Sequence, residues 1–211
     1  PDAGRRVLNV AVPMSSPGVT VVQTWDTLGM RGTASDDLVF DDVFVTDAQV
    51  LVNRPYGVVD GPLQVISDIA FTIVSGAYLG VAEAAYQAAR ATAGNRPDSA
   101  LVQRQLGLMG HRLTVASWAL DGALAAVGDD PTPGVDRTLA VMTAKSEVAR
   151  AGLEVCDLAM EVVGGSAYFK GSVVERCYRD IRAVKFHPLT PEDTLLEIGR
   201  RALGVPGVFL E

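Results

Sequence analysis

Three long stretches with a helical period, about thirty residues each and joined only by short turns, constrain this chain more than any other feature. Helices of that length with such connections run antiparallel and share one core. The first extends from Gly61-Pro62, with proline in its first turn, to about Thr92. Leu63, Ile66, Ala70, Ile73, Ala77, Val81 and Ala84 recur in it at three and four residues and form the expected buried stripe. Gly76 and Gly80 lie beside that stripe, where small residues admit a close helix contact. The second is capped by Asp98, runs to about Val127, and carries Leu101, Leu108, Leu113, Val115, Leu120 and Leu124. The third begins with Thr132 as cap and Pro133 in the first helical position. Its apolar face is Val141, Ala144, Val148, Val155, Ala159 and Val162, and it ends at Val163. A last helix, Pro191 to about Leu203, stops at Gly204 and completes an antiparallel four-helix bundle over residues 56–211. The expected fold class is therefore mainly α.

Ahead of the bundle, residues 1–55 read as strands. Val7, Val10 and Val12 precede a Ser-Ser-Pro-Gly turn, Val19 to Val22 opens a second strand, and Leu38 to Val45 alternates around Asp41-Asp42 as a half-buried strand pair would. Three or four strands make a poor independent sheet, so this part is expected to be the end of a larger β-domain. Asn53 to Pro62 reads as the linker.

The net charge of −7, with no basic run, argues against nucleic-acid binding. Ile66 to Ala89 is apolar enough to be taken for a membrane span, but Asp68 and Glu83 lie inside it and Ala and Gly dominate, which favours a bundle helix and no membrane partner. Cys156 and Cys177 have neither CxxC nor metal-ligand spacing and read as reduced core thiols of a cytoplasmic protein. His111 and His187 stand far apart, so no metal site is expected.

The chemistry concentrates between Glu161 and Asp193. Gly164-Gly165 ends the third helix; an amphipathic segment, Val173 to Val184, carries Arg176, Arg179 and Asp180; then come His187-Pro188 and the helix start Thr190-Pro191-Glu192-Asp193. Glu161, Gly164, Gly165, Tyr168, Arg176 and Asp180 match the spacing of the C-terminal signature of the acyl-CoA dehydrogenase superfamily, which this stretch resembles. Ala167 and Gly171 depart from that signature. Trp25 to Val50 also resembles the family's middle β-domain where it meets the helical domain. The resemblance covers nearly the whole chain and implies a FAD-dependent oxidoreductase, homo- or hetero-tetrameric, acting on an acyl-CoA or another small molecule. It implies that the earlier strands and an N-terminal helical domain belong to the complete protein.

Each candidate residue also has a plain structural role. Gly164 and Gly165 form a C-cap; by resemblance they and Glu161 contact the FAD of a neighbouring subunit. Gln103 matches another such position, although the arginine that usually accompanies it is replaced by Thr92. Thr190 with Asp193 makes a capping box; by resemblance Thr190 and Glu192 lie against the cofactor, at a helix N-terminus that suits phosphate. Arg176, Arg179 and Asp180 read as an ion-pair cluster tying the short helix to the bundle. The family's catalytic glutamate position falls on Pro188, and its alternative position near Ala70; neither side chain can accept a proton. His187 immediately precedes Pro188, and flavin monooxygenases of the superfamily carry a histidine in this loop that acts on the oxygenated flavin or the substrate. Three functions follow as expectations: a dehydrogenase with its base supplied elsewhere, a flavin monooxygenase using His187, and a non-catalytic subunit completing a neighbour's FAD site.

Overall fold

The computed structural model describes residues 4–208; the first three residues of the expected β-region lie outside them. Helices α1 (Gly61–Ala93), α2 (Ala100–Val127) and α3 (Val135–Val163) form the body of the molecule. The short α4 (Val173–Asp180) packs on α1 and α3, and α5 (Pro191–Ala202) packs on α3. The fold is the mainly helical one expected. α3 lies at its centre, and all six of the residues read as its apolar face are buried.

Local chemistry sets the helix ends. The α2 cap is Ser99, whose hydroxyl accepts from the Val102 amide; Asp98, one residue earlier, was the expected cap. α3 starts after Gly134, later than the Thr132-Pro133 start read from sequence, and the Thr132 hydroxyl instead accepts from the Arg137 guanidinium at 3.4 Å. At α5 the expectation holds: the Thr190 hydroxyl accepts from the Asp193 amide, and the Asp193 carboxylate accepts from the Thr190 amide at 2.7 Å. The segment read as Val173 to Val184 divides into α4 and a 3-10 turn over Ile181–Phe186.

α1 corrects the sequence reading. None of the seven stripe residues is buried, and Ile66 and Ile73 are 58% and 68% exposed. The face turned inward carries Gln64, Asp68, Thr72 and Ser75, then Tyr78, Ala82, Ala85 and Ala89. Period alone locates an apolar face without saying which surface covers it. Gly76 and Gly80 are exposed, and a Cβ on either would meet nothing within 4 Å, so among the described residues no helix approaches there. By length and composition α1 is apolar enough to cross a membrane; 28% of its most apolar window is buried within the molecule. In α2 the buried line is Val102, Gln105, Met109, Leu113, Ala116, Leu120, Ala123 and Val127; of the expected stripe only Leu113 and Leu120 belong to it.

Strands β1 (Arg6–Val10) and β4 (Val50–Pro55) pair antiparallel with a bulge at Asn9/Val10, and β2 (Val19–Val22) pairs antiparallel with β3 (Asp37–Phe40). These are two separate ribbons, with Leu8, Val21, Leu38 and Phe40 exposed. The half-buried pair expected over Leu38 to Val45 is not formed: β3 ends at Phe40, and Asp42 bends the chain with a φ of 50°.

Asp68 is fully buried, and neither of its carboxylate oxygens has a hydrogen-bond partner. Burial raises its pKa above the ordinary 3.8; the Thr138 hydroxyl, near it without hydrogen-bond geometry, and Arg137 offset this only in part. A raised carboxyl pKa favours the folded state at low pH and costs stability as pH rises through it. Asp68→Asn should therefore stabilise the protein at pH 7 by on the order of 1–3 kcal/mol. The gain should fade as pH approaches 3.8, which urea titration at both ends of that range checks; an Asp68→Asn variant less stable than the parent at pH 7 would contradict it.

Candidate functional site

The segment between β2 and β3 is held on the end of α4 by backbone complementarity. The Met30 amide donates to Asp180 Oδ1 at 2.6 Å, and Arg179 Nη1 donates to the Leu28 carbonyl at 2.8 Å. Gly29 between them lies so close that a Cβ would sit 2.4 Å from the Arg179 carbonyl oxygen. Inside the segment the Trp25 indole donates to the Met30 carbonyl, and Asp36 accepts the Thr24 and Trp25 amides. The arginine–aspartate pair of α4 thus joins the β-part of the chain to the helices. Arg179 also pairs with Glu175, one turn earlier on α4, at 2.5 Å. The expected ion-pair cluster tying α4 to the bundle is therefore corrected: the partners are α4 itself and the strand segment.

Between this segment and the helices lies a cleft of about 480 Å³. Trp25, Leu28, Met30 and Phe186 give it apolar and aromatic walls; Thr27, Thr33 and Ser35 supply hydroxyls; Tyr78 and His187 stand on the helical side. Arg179 and Arg182 also reach it, paired with Glu175 and Asp157. Among the described residues no carboxylate lines it. A flat heteroaromatic ring with polar edges suits such walls, so the residues present fit a flavin ring.

His187 ends the 3-10 turn in an extended conformation, φ −68° and ψ 139°, as the following proline requires. Its Nε2 lies 2.7 Å from the hydroxyl of Tyr78, itself only 1% exposed, and the rings meet edge to face. Burial lowers the His187 pKa, and the Lys145 charge lowers it further. Burial, and then the Asp180 charge, push Tyr78 up to about 12. Near neutral pH the pair is thus a neutral imidazole and a protonated phenol. In that state the two share one hydrogen bond, the phenol donating to Nε2 or Nε2–H donating to the phenol oxygen according to the imidazole tautomer. Lys145, 4% exposed, donates from Nζ to the carbonyls of Pro188 and Leu189, both at 2.8 Å. It lies over the Phe71 ring, and burial lowers its pKa to about 8 against the opposing charge of Asp193.

The other sequence candidates fall into two groups. Thr190 and Glu192 follow His187 at the start of α5, Thr190 committed to its capping box and Glu192 exposed. Gln103, Glu161, Gly164 and Gly165 lie at the opposite end of α3. Glu161 is sixteen residues beyond Lys145, about 24 Å at the helical rise. There Glu161 accepts from Gln105 at 2.8 Å, and Gln103 donates to the Pro97 carbonyl at 2.7 Å. Gly164 caps α3 with a φ of 75°, and open space surrounds it and Gly165. One chain does not bring all six together.

Tyr78 and Lys145 escaped the sequence reading. Lys145 had a signal: a cation among Val141, Ala144 and Val148 on the apolar face of α3 is out of place unless it is bound. Tyr78 had none, because the stripe assigned to α1 put it on the wrong face.

Comparison with known proteins agrees with this architecture. The chain is 32% identical over 209 residues to the amino sugar nitrososynthase DnmZ of Streptomyces peucetius, covering 94% of this chain and 52% of that protein. It is 28% identical over 198 residues to the human mitochondrial short-chain specific acyl-CoA dehydrogenase, covering 91% and 47%. KijD3, solved in complex with FMN and dTDP-3-amino-2,3,6-trideoxy-4-keto-3-methyl-D-glucose, superposes with a TM-score of 0.75 at 28% identity, covering 98% of this chain and 53% of that one. The chain thus spans about half the length of the relatives it matches. Its residues 71–202 match the acyl-CoA dehydrogenase C-terminal domain, and the chain belongs to that family of flavin-dependent oxidoreductases and oxygenases.

Proposed function

We propose that this chain supplies the helical side of a flavin-dependent monooxygenase site in which His187 is the proton-handling group. The observation that carries the reading is the cleft's lining: it holds a neutral histidine paired to a tyrosine, and no carboxylate among the described residues. Removal of an acyl-CoA α-proton needs a base within reach; the position expected for the glutamate is Pro188, and Ala70 is equally inert. The resemblance to nitrososynthases supports the same choice.

Bound in the cleft, the flavin would supply the redox chemistry with oxygen. Trp25, Leu28, Met30 and Phe186 would line its ring and exclude water, and the Thr27, Thr33 and Ser35 hydroxyls, each donating within the segment, would offer acceptor oxygens to its edges. In the tautomer whose Nε2–H donates to the Tyr78 oxygen, His187 can accept a proton at Nδ1 from a group bound in the cleft and return it from the imidazolium so formed, while Tyr78 keeps the ring oriented. Of FAD and FMN, FMN is the flavin proposed, the one solved with the similar KijD3. Gln103 and Glu161, which by resemblance would contact the FAD of a neighbouring subunit, lie at the far end of α3 from this cleft. A FAD would need the α3 end of a neighbouring copy. The exposed apolar residues of α1 and of the two ribbons suit burial in a tetramer and against the rest of a complete β-domain.

The test compares two assays on the complete protein: oxygen consumption with enzymatically reduced FMN and an oxidisable amine or phenol, and anaerobic oxidation of saturated acyl-CoAs with an artificial acceptor. Substrate-dependent oxygen uptake with negligible acyl-CoA oxidation is expected; the reverse pattern would refute the reading.

A further inference from the structure

We propose that Lys145 is a positioning residue for the candidate site, its buried ammonium clamping the Pro188 and Leu189 carbonyls and thereby fixing His187 against Tyr78. The inference rests on the reading of His187 given above for its catalytic consequence, but not for its structural content.

Three observations converge on it. The first is the clamp, two charge-assisted hydrogen bonds of 2.8 Å from a side chain 4% exposed. Lys145 makes no ion pair among the described residues: Phe71 lies under its ammonium, and Asp193 acts on it only as a nearby charge. A buried cation held by backbone carbonyls is costly to keep, and what it holds here is the two residues after His187. The second is strain. Leu189 has a φ of 56°, a conformation that a branched side chain rarely adopts. Something outside the loop must hold it there, and Lys145 bonds to that residue's own carbonyl. The third is that the charge reaches the histidine, helping to keep the imidazole neutral. The other titratable groups around the pair are Tyr78 on α1, Arg179 and Asp180 on α4, Arg182 in the turn after it, and Asp193 on α5. One lysine on the central helix thus holds the path of the loop and adds to burial in keeping its histidine neutral.

The experiment uses Lys145→Met, Lys145→Gln, and Lys145→Met combined with Leu189→Gly, all in the complete protein. His187 is titrated by NMR of its ring carbon, and turnover is followed against pH. Lys145→Met is expected to raise the His187 pKa toward its ordinary value and to lower kcat on the order of tenfold, with the helical melt retained. Leu189→Gly in that background should recover part of kcat, because glycine adopts the loop's backbone without the clamp. Lys145→Gln, a neutral donor, should raise the His187 pKa while keeping more of kcat, and serves if the Met variant folds poorly. An unchanged His187 titration in both Lys145 variants, or a double variant no better than Lys145→Met, would overturn the proposal. If His187→Ala leaves turnover intact, the catalytic reading falls, and the NMR titration still decides the role of Lys145.

Discussion

Replacing His187 by alanine should lower turnover by roughly 10²-fold or more, the scale of losing a general acid–base group, while leaving the helical melt nearly unchanged. The ring is half-buried and its described hydrogen bond is to Tyr78, so the bundle loses little when it is removed. The pH profile carries the more specific expectation. Burial and Lys145 hold the imidazole pKa below 6.5, so the neutral form persists through mild acid and the acidic limb should fall below that value. The stability linkage has the same direction: a lowered folded-state pKa makes the unfolded chain the better proton acceptor, so this contribution is lost as pH drops below 6.5. Tyr78→Phe should keep the cleft's shape, remove the hydrogen-bond partner of Nε2, and cost less than His187→Ala. Full turnover in His187→Ala would remove this residue from the chemistry and leave the cleft without a proton-handling side chain of near-neutral pKa.

The residues that could be read correctly from sequence were those whose environment is set within the helical bundle. α3 is surrounded by α1, α2, α4 and α5, so its apolar face had to be buried whatever the rest of the protein did. The α5 capping box spans four consecutive residues, Thr190 to Asp193, and needs no tertiary context. α1 is the opposite case. Its isoleucines at 66 and 73 face outward and its Asp68 faces inward, an arrangement that makes sense only if further surface covers the outer face. Likewise, the apolar β-ribbons lack a partner layer among the described residues, and alternation within one strand cannot supply it.

The site was legible in one residue and obscure in its neighbours for a related reason. His187 announced itself by standing beside an inert proline where the resemblance leads one to expect a carboxylate. Tyr78 lies 109 residues away and Met30 lies 150 residues from Asp180, and no local pattern encodes contacts of that span. The candidate cofactor residues were found by spacing along the chain, which does not reveal that α3 separates them into two ends.

Gly29→Ala should be the single change most damaging to the cleft. The added methyl would lie 2.4 Å and 2.5 Å from the carbonyl oxygen and carbon of Arg179 and 2.7 Å from the Asp180 Cα. These are backbone atoms at the end of α4, and no rotamer change can yield the space. The segment must lift, and with it go the bond from the Met30 amide to Asp180 and the bond from Arg179 to the Leu28 carbonyl. Both involve a charged group, so their joint loss is on the order of 2–4 kcal/mol. Most of that should stay local, because of this segment Met30 alone is among the residues packed against the main core, whose buried residues come from the helices and the turns after α3 and α4. The cleft, in contrast, loses the wall built from Trp25, Leu28 and Met30, and with it the surface that on the proposed reading would hold the flavin and exclude water. The expected result is a helical spectrum close to that of the parent, a red-shifted Trp25 emission measured in a Trp118→Phe background, and turnover reduced at least tenfold. A variant that keeps its tryptophan emission and its activity would show that the segment does not need this contact, and that the cleft is closed by something other than the end of α4.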